Sequence, residues 1–445
     1  MQSLPETGEG GSPSGGFFRR RRSGELRCRF CFFRSMTEKK DSSMYNTIIC
    51  RYHEIATKGD NRSMFEEKLI DNMKYQCASL ENISFKRVRG RIYIRKKDES
   101  AFSEEELKTI QEGLHRCAGL ESFSPALECK PDMTEICSLV TQSIHEHFDP
   151  ILALRPRVEF RVRARRSDKS FPLRSKDIEI AVATHIEAMF GEEHLKVNLT
   201  HAEVTVGVEV RDVNALVYYT SFNGAGGLPV GSNSPVLALL SGGIDSPVAC
   251  KLIMNRGCHV DYLTFHSYPY TPMESLDKVR KLAAILNRHQ KPGTLYACNF
   301  SEIQKKIRDV CNPKFRTVLY RRYMMRIANM ICRRKRLYAI VTGESVGQVA
   351  SQTVINLGTI DNAAEYVVLR PLCGLDKMET IRRAEELGTF QTSIEDFPDS
   401  CTVFAPPSPS VAAKLYRIEA EEALLGDMTE LLERAYESLE ITVDR

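Results

Sequence analysis

The chain has 445 residues, more than one hydrophobic core ordinarily organises, so roughly two to four domains are expected. Apolar residues make up 42% and charged residues 27%, and no apolar run approaches the roughly 18–20 residues of a spanning helix, which excludes membrane-embedded functions. The 62 Lys and Arg against 58 Asp and Glu leave a net charge of +4, so a polyanionic partner has to be argued from local clusters.

The 14 cysteines are irregularly spaced, unlike a secreted disulfide framework, and no secretory signal opens the chain, so a reducing cytoplasmic location is expected. Residues 1–43 read as a disordered basic arm or a start-site extension, Gly/Ser/Pro-rich and then Phe17-Phe18-Arg19-Arg20-Arg21-Arg22. That arginine run reads either as a phosphate-binding patch or as a solvated tail, with Met36 and Met44 just before the ordered pattern. Cys28-x-x-Cys31 is half of a zinc spacing, but no second pair matches it, so unpaired thiols and no metal centre are expected.

Residues 44–100 read as a small α+β unit, with a strand over Asn46–Tyr52, a helix over Arg62–Met73, and strands over Ile83–Lys86 and Arg91–Arg95 around a turn at Gly90. Residues 101–223 form a second mixed block, with helices near 104–116, 133–147 and 176–190 and strands over Val158–Arg163 and Val204–Val210. In the first of those strands Val158, Phe160 and Val162 alternate with Glu159, Arg161 and Arg163, so one face is apolar and the other charged. With Arg165, Arg166 and Lys169 just beyond, the cluster reads as a polyanion-binding surface or as a solvated edge strand protected against aggregation.

Residues 224–232, Gly- and Pro-rich, read as a linker. After it short buried strands at Val236–Leu240, Val260–Phe265, Thr294–Asn299 and Tyr338–Thr342 alternate with helices, the rhythm of a doubly wound parallel α/β sheet over 233–445. The stretch from Ala420 to Arg445 reads as a solvated acidic helix.

The segment that carries chemistry is Ser241-Gly242-Gly243-Ile244-Asp245-Ser246-Pro247, set between the buried strand ending at Leu240 and a helix whose first position is expected at Pro247 and whose stop is expected at Gly257. Two glycines let backbone amides approach an anion, two serines add hydroxyls, and the helix dipole favours negative charge there. It is neither a Walker loop nor a dinucleotide fingerprint. The order Ser-Gly-Gly-x-Asp-Ser resembles the PP-loop of ATP pyrophosphatases (adenine nucleotide α-hydrolase-like domains), which holds the pyrophosphate of ATP and, through Asp245, helps place Mg²⁺.

Four further segments, His53-Glu-Ile-Ala-Thr-Lys-Gly-Asp-Asn-Arg62, Arg165-Arg-Ser-Asp-Lys-Ser-Phe-Pro172, Gly343-Glu-Ser-Val-Gly-Gln-Val-Ala-Ser-Gln-Thr353 and Arg370-Pro-Leu-Cys-Gly-Leu-Asp-Lys377, resemble the tRNA 4-thiouridine synthetase (tRNA uracil 4-sulfurtransferase) family, as does Gly224–Val230. The likeness runs in order over about residues 45–415 and implies a ferredoxin-like domain, a THUMP domain and a PP-loop catalytic domain. It implies that ATP adenylates C4 of uridine 8 in tRNA and that persulfide sulfur then displaces AMP. Implied ATP-binding positions are Leu239, Leu240, Ser241, Gly242, Gly243, Asp245, Ser246, Thr264, Phe265, Arg321, Gly343 and Gln352. Lys377 would stabilise charge on the reacting phosphate, and Cys401 would carry the sulfur, with Cys373 second. Lys58, Arg62, Arg161, Arg163, Arg165, Arg166 and Lys169, with Arg87, Arg89 and Arg91, are the candidates for holding tRNA. The stretch after Pro409 is short for a rhodanese domain, so the form lacking it is expected. A cysteine desulfurase then supplies sulfur directly or through a carrier; the further role the likeness implies, sulfur supply for thiamine thiazole synthesis, is one in which the rhodanese domain is implicated. The likeness also implies a homodimer in which one subunit's THUMP domain presents tRNA to the other's active site. The rival readings are an ammonia-using PP-loop ligase, for which no glutaminase block is seen, and an RNA-binding protein with a degenerate loop, against which the loop residues are intact.

Overall fold

The computed structural model describes residues 43–88, 90–397, 404, 406 and 408–443. Residues 1–42 of the arm, with Cys28 and Cys31, and Arg89 and Cys401 lie outside them.

The first unit is β1 (Thr47–Arg51), α1 (Arg62–Gln76), β2 (Ile83–Val88), β3 (Arg91–Lys96), α2 (Glu104–Arg116) and β4 (Ser122–Cys129), with sheet order β2-β3-β1-β4. That is the split βαβ arrangement of ferredoxin-like domains. It runs past residue 100, where the sequence suggested a boundary, because α2 covers the same sheet face as α1 and β4 pairs with β1. Ser103 caps α2 in a capping box with Glu106, which fixes where that second helix begins.

The second unit adds α3 (Met133–Ser143), α4 (His145–Leu152), β5 (Val158–Arg166), α5 (Ser175–Phe190), β6 (Leu195–Val197), β7 (Val204–Val210), β8 (Ala215–Tyr218) and the short β9 (Phe222–Asn223). The single helix expected over 133–147 is two. Strand β4 continues into it and pairs with β8, so one nine-stranded sheet runs through both units in the order β2-β3-β1-β4-β8-β7-β5-β6, with β9 on β4. Behind that seam lies a charged cluster: Glu209, 1% exposed, receives Arg91 at 3.0 Å, Arg211 at 2.8 Å and Arg51 at 3.5 Å. A carboxylate that buried is tolerated only when paired, so the arginines of the first unit lock onto the second.

The third unit comprises β10 (Leu228–Leu239), α6 (Asp245–Met254), β11 (Arg256–His266), α7 (Glu274–Asn287), β12 (Leu295–Asn299), α8 (Ser301–Val310), α9 (Arg316–Lys335), β13 (Ala339–Val341), α10 (Val354–Asp361), β14 (Val367–Leu369), α11 (Lys377–Leu387), α12 (Phe390–Ser393), α13 (Leu415–Leu424), α14 (Thr429–Glu437) and β15 (Glu440–Thr442). The sheet order is β14-β13-β10-β11-β12-β15, parallel except for β15. Apolar clusters cover both faces, as a parallel sheet requires.

Three expectations are corrected here. Residues 224–232 are not a free linker: β10 starts at Leu228, and Leu228 and Val230 are buried. A Cβ on Gly227 would lie 2.1 Å from the Asn255 carbonyl oxygen, so that glycine serves close packing rather than freedom. Helix α6 starts at Asp245, which puts Pro247 third in a first turn whose N–H groups have no helical partner anyway, and Gly257 lies inside β11 at φ +87° instead of ending the helix. The C-terminal stretch is not one solvated helix. Gly426 (φ +65°) separates α13 from α14, Leu425, Met428 and Ala435 are buried, and β15 closes the sheet edge against β12.

The first unit also packs on the third. Glu54 pairs with Arg256 at 2.6 Å, Asn72 Nδ2 donates to the Val230 carbonyl at 3.0 Å, and Gln76 Nε2 donates to the Arg288 carbonyl at 2.8 Å. Among the described residues no helix is long and apolar enough to cross a membrane.

Candidate functional site

The carboxyl ends of β10, β11 and β13 open onto a cavity of about 360 Å3, the place where doubly wound sheets bind ligands. All the residues assigned above to ATP line it: Leu239 and Leu240 at the end of β10, Ser241, Gly242, Gly243, Asp245 and Ser246 in the turn, Thr264 and Phe265 on β11, Arg321 on α9, and Gly343 and Gln352 after β13.

The turn is held by its own serines. The Ser241 amide donates to Ser246 Oγ at 2.9 Å, Ser246 Oγ returns to the Ser241 carbonyl at 3.2 Å, and the Gly243 amide meets Ser241 Oγ at 3.4 Å. Gly343 closes from above. A Cβ there would stand 2.6 Å from the Ser246 amide nitrogen and 2.7 Å from its Cα, so only glycine lets the end of β13 approach the first turn of α6.

Behind Gly343, the buried Glu344 accepts from Thr342 Oγ1 at 2.9 Å, Arg321 at 2.7 Å and Arg370 Nε at 2.8 Å, and Arg370 also grips Asp361 at 2.9 and 2.5 Å. This chain of alternating charges fixes the Arg321 guanidinium at the cavity wall. Glu344 and Arg370 were seen only as parts of a motif. Their pairing joins positions far apart in sequence, which no local pattern reveals.

At the rim Asp245 Oδ1 receives Lys377 Nζ at 2.6 Å and Oδ2 receives Gln348 Nε2 at 2.8 Å. Lys377 is the first residue of α11, whose cap Asp376 accepts from the Glu379 amide at 2.8 Å. Its side chain is 44% exposed, so the pair is worth little to stability and its ammonium is available to a ligand.

A lysine that the sequence reading missed lies beneath the turn. Lys278 on α7 is 6% exposed, its aliphatic stem would touch a Cβ on Gly242 at 3.2 Å, and its Nζ donates to the carbonyls of Ser393 and Glu395 at 2.9 and 2.8 Å. A signal was present: Lys278 sits among Leu276, Val279 and Leu282, on the buried side of an amphipathic helix. It ties the phosphate-binding turn to the segment that leads to Cys401, while Cys401 itself is outside the described residues. Cys373 is exposed. Cys250 and Cys258 are buried, and burial pushes the Cys250 thiol up to about 12, so both are packing residues.

The lining fits a nucleoside triphosphate. Besides the glycine cradle, Gln352 Oε1 and His266 Nδ1 are buried in it with no hydrogen-bond partner from the protein, and burial holds the His266 imidazole below its usual range, hence neutral. Such atoms suit the polar edge of a base or ribose. A divalent cation here would need oxygen ligands from the bound nucleotide besides Asp245. Among the described residues no group of three or more His, Cys, Asp and Glu could hold a metal, and Asp245 is the carboxylate in the turn.

Comparison with known proteins gives the same division of the chain. Residues 47–124 match the ThiI ferredoxin-like domain, 130–220 the THUMP domain, and 231–425 the thiamine biosynthesis protein (ThiI) family. A protein of Alkaliphilus oremlandii named "Probable tRNA sulfurtransferase" is 36% identical over 399 residues, covering 89% of this chain and 98% of its own. The chain belongs to the tRNA sulfurtransferase family. A second member, from Alkaliphilus metalliredigens, is 38% identical over 398 residues, 89% of this chain and 98% of its own. The crystal structure of a 4-thiouridine synthetase–RNA complex with bound ATP matches with a TM-score of 0.78 at 32% identity, covering 90% of this chain and 100% of its own. A Pyrococcus horikoshii protein shares the fold at a TM-score of 0.58 and 24% identity, over 77% of this chain and 99% of its own.

In this sulfurtransferase the THUMP strand β5 alternates as its sequence suggests, with Val158, Phe160 and Val162 buried and Arg163 and Arg165 exposed. Lys169 is exposed beyond it. Arg161 Nε donates to Thr205 Oγ1 at 3.0 Å, and Arg161 and Arg163 both reach the Leu199 carbonyl at 3.0 Å, so the two guanidinium groups stand side by side. The remaining candidates also have partners within the fold. Arg166 holds the carbonyls of Phe171 and Leu173 at 2.8 and 3.1 Å, and Arg62 is bound to Glu66 at 2.8 Å and to Tyr52 at 2.9 Å. Arg87 bonds Ser63 and Glu66, and Arg91 is spent on Glu209. Lys58 lies over the Phe65 ring at 5.3 Å. The fold thus gives Arg62, Arg87, Arg91 and Arg166 a carboxylate or carbonyl partner and Lys58 an aromatic ring.

Proposed function

We propose that this protein is an ATP-dependent tRNA uracil 4-sulfurtransferase that makes 4-thiouridine at position 8. The observation that carries the reading is the serine-knit glycine turn at the N-terminus of α6 with the Lys377–Asp245 pair at its rim. A carbonyl oxygen is a poor leaving group and AMP a good one. The uridine O4 attacks the α-phosphorus, a P–O bond forms, the bond to the β-phosphate bridging oxygen breaks, and pyrophosphate departs. The outer sulfur of the persulfide then adds at C4 and AMP leaves with the original oxygen; a second thiol attacks the inner sulfur, the S–S bond breaks with its electron pair going to the sulfur on C4, and the disulfide left behind is reduced by an external thiol. The amides of Gly242 and Gly243 with the α6 dipole hold the phosphate tail, Arg321 and Lys377 face the charge that develops on it, and Asp245 would hold Mg²⁺, which would supply further positive charge against the phosphates. The family resemblance supports Cys401 as the sulfur carrier, loaded by a cysteine desulfurase directly or through a carrier protein, with Cys373 the second candidate. Lys58, Arg161, Arg163, Arg165 and Lys169 hold the tRNA, and the active form is a homodimer. Cys401→Ser is the test. Adenylation, read as tRNA-dependent pyrophosphate release, survives while thionated base disappears; continued thionation would move the sulfur role to Cys373 or to an external carrier.

A further inference from the structure

The turn after β11 is unusually well anchored for a segment that exposes aromatic rings. Ser267 donates its amide to Thr271 Oγ1 at 3.0 Å and its hydroxyl to Gln304 Oε1 at 2.6 Å. The amides of Tyr270 and Thr271 return to the Ser267 carbonyl at 2.7 and 3.2 Å, and Asn299 Nδ2 donates to the Tyr268 carbonyl at 3.2 Å. On this fixed backbone Tyr268 is 52% and Tyr270 45% exposed. Single exposed tyrosines are ordinary. These two adjoin Phe265, His266 and Thr271, which line the nucleotide cavity. Tyr270 meets Phe404 edge to face with centroids 5.1 Å apart, and the Arg308 guanidinium lies 5.0 Å from the Phe404 centroid. Phe404 follows Cys401 by three residues.

We infer that Tyr268 and Tyr270, backed by Phe404 and Arg308, form the platform that receives the target pyrimidine after it swings out of the tRNA. The inference rests on the function proposed above. An enzyme that acts on a base inside a folded nucleic acid has to unstack it, which costs free energy. Aromatic rings offset that cost by stacking with any base, and an adjacent guanidinium adds attraction to the π-face or to a flanking phosphate. A rigid turn does this without ordering itself on binding. The platform lies beside the nucleotide cavity and near the candidate sulfur cysteine in sequence, the two places the base has to visit.

The test uses the full-length enzyme and a tRNA carrying a fluorescent pyrimidine analogue at the target position. The analogue is quenched when this tRNA binds the wild type. In Tyr268→Ala/Tyr270→Ala the quench is lost and kcat/KM for thionation of unmodified tRNA falls about tenfold or more, while Kd for ATP and for tRNA hold, and Phe at both positions recovers quench and rate relative to Ala. Unaltered quench and rate in the double alanine variant would overturn the platform. So would a weakened Kd for ATP, which would place adenine on these rings. Should wild type quench the analogue but make no thionated base, the platform stands and the proposed reaction falls.

Discussion

Replacing Gly343 by alanine is the sharpest local test of the site, because the glycine is required there for space alone. Its φ lies outside the left-handed range, so alanine meets no backbone strain. Its Cβ meets the Ser246 amide nitrogen at 2.6 Å and the Ser246 Cα at 2.7 Å, where ordinary van der Waals contact begins at 3.4 Å, and both obstacles are backbone. Either the end of β13 or the first turn of α6 has to retreat by roughly 0.8 Å, and overpacking of this kind costs about 1–3 kcal/mol. A retreat of β13 drags Glu344 and with it Arg321, and a retreat of α6 moves the amides that face phosphate. ATP affinity, measured by calorimetry, therefore falls about tenfold or more, and Tm falls by a few degrees. Gly358→Ala is the control: in α10 its Cβ would have no neighbour within 4 Å, and the change is neutral or stabilising by about 0.5–1 kcal/mol. A Gly343→Ala protein with native Tm and native ATP affinity would refute the close-approach argument.

Lys377→Met lowers tRNA-dependent pyrophosphate release by about a hundredfold or more while Tm is unchanged, since the Asp245 pair is exposed; a large Tm loss with normal turnover would make the lysine structural. Arg163→Ala/Arg165→Ala weakens tRNA binding and reduces the slope of log K against log salt by about 1 to 2, and an unaltered slope would move the RNA surface elsewhere. Burial, the larger cause in each case, pushes His147 down to about 4 and His289 to about 3. The unfolded chain therefore binds a proton near pH 6.5 that the native protein refuses, and stability is lost as pH falls. Each site removes about 2 kcal/mol between pH 7 and pH 5. Denaturant titrations at the two pH values check this, and His147→Gln has the shallower decline; an equal decline would assign the loss to other groups.

What the sequence made legible was what is local. The strand, glycine turn and helix from Pro235 to Met254 stand together in the chain, and their short-range spacing identified both the fold of the third unit and the phosphate cradle. Partnerships across long separations were not legible. Nothing near Glu344 announces Arg321 or Arg370, and nothing near Glu209 announces Arg91, so arginines that looked free proved to be bound. The buried strand β4 was missed because it serves two units at once, pairing with β1 and with β8. From sequence alone, Gly227 suggests a linker and Gly257 a helix stop. The structure uses them where backbone meets backbone, a role that depends on what lies opposite.

The central claim is that the turn at Ser241–Ser246 holds ATP so that its α-phosphorus passes to a tRNA base. The direct measurement is a single reaction of purified protein, ATP, Mg²⁺, unmodified tRNA and a persulfide source, with AMP, pyrophosphate and thionated base counted together. The account predicts AMP and pyrophosphate in equal amounts, dependent on tRNA, with thionated base matching them. ADP and inorganic phosphate instead, or no cleavage of ATP with tRNA present, would contradict it.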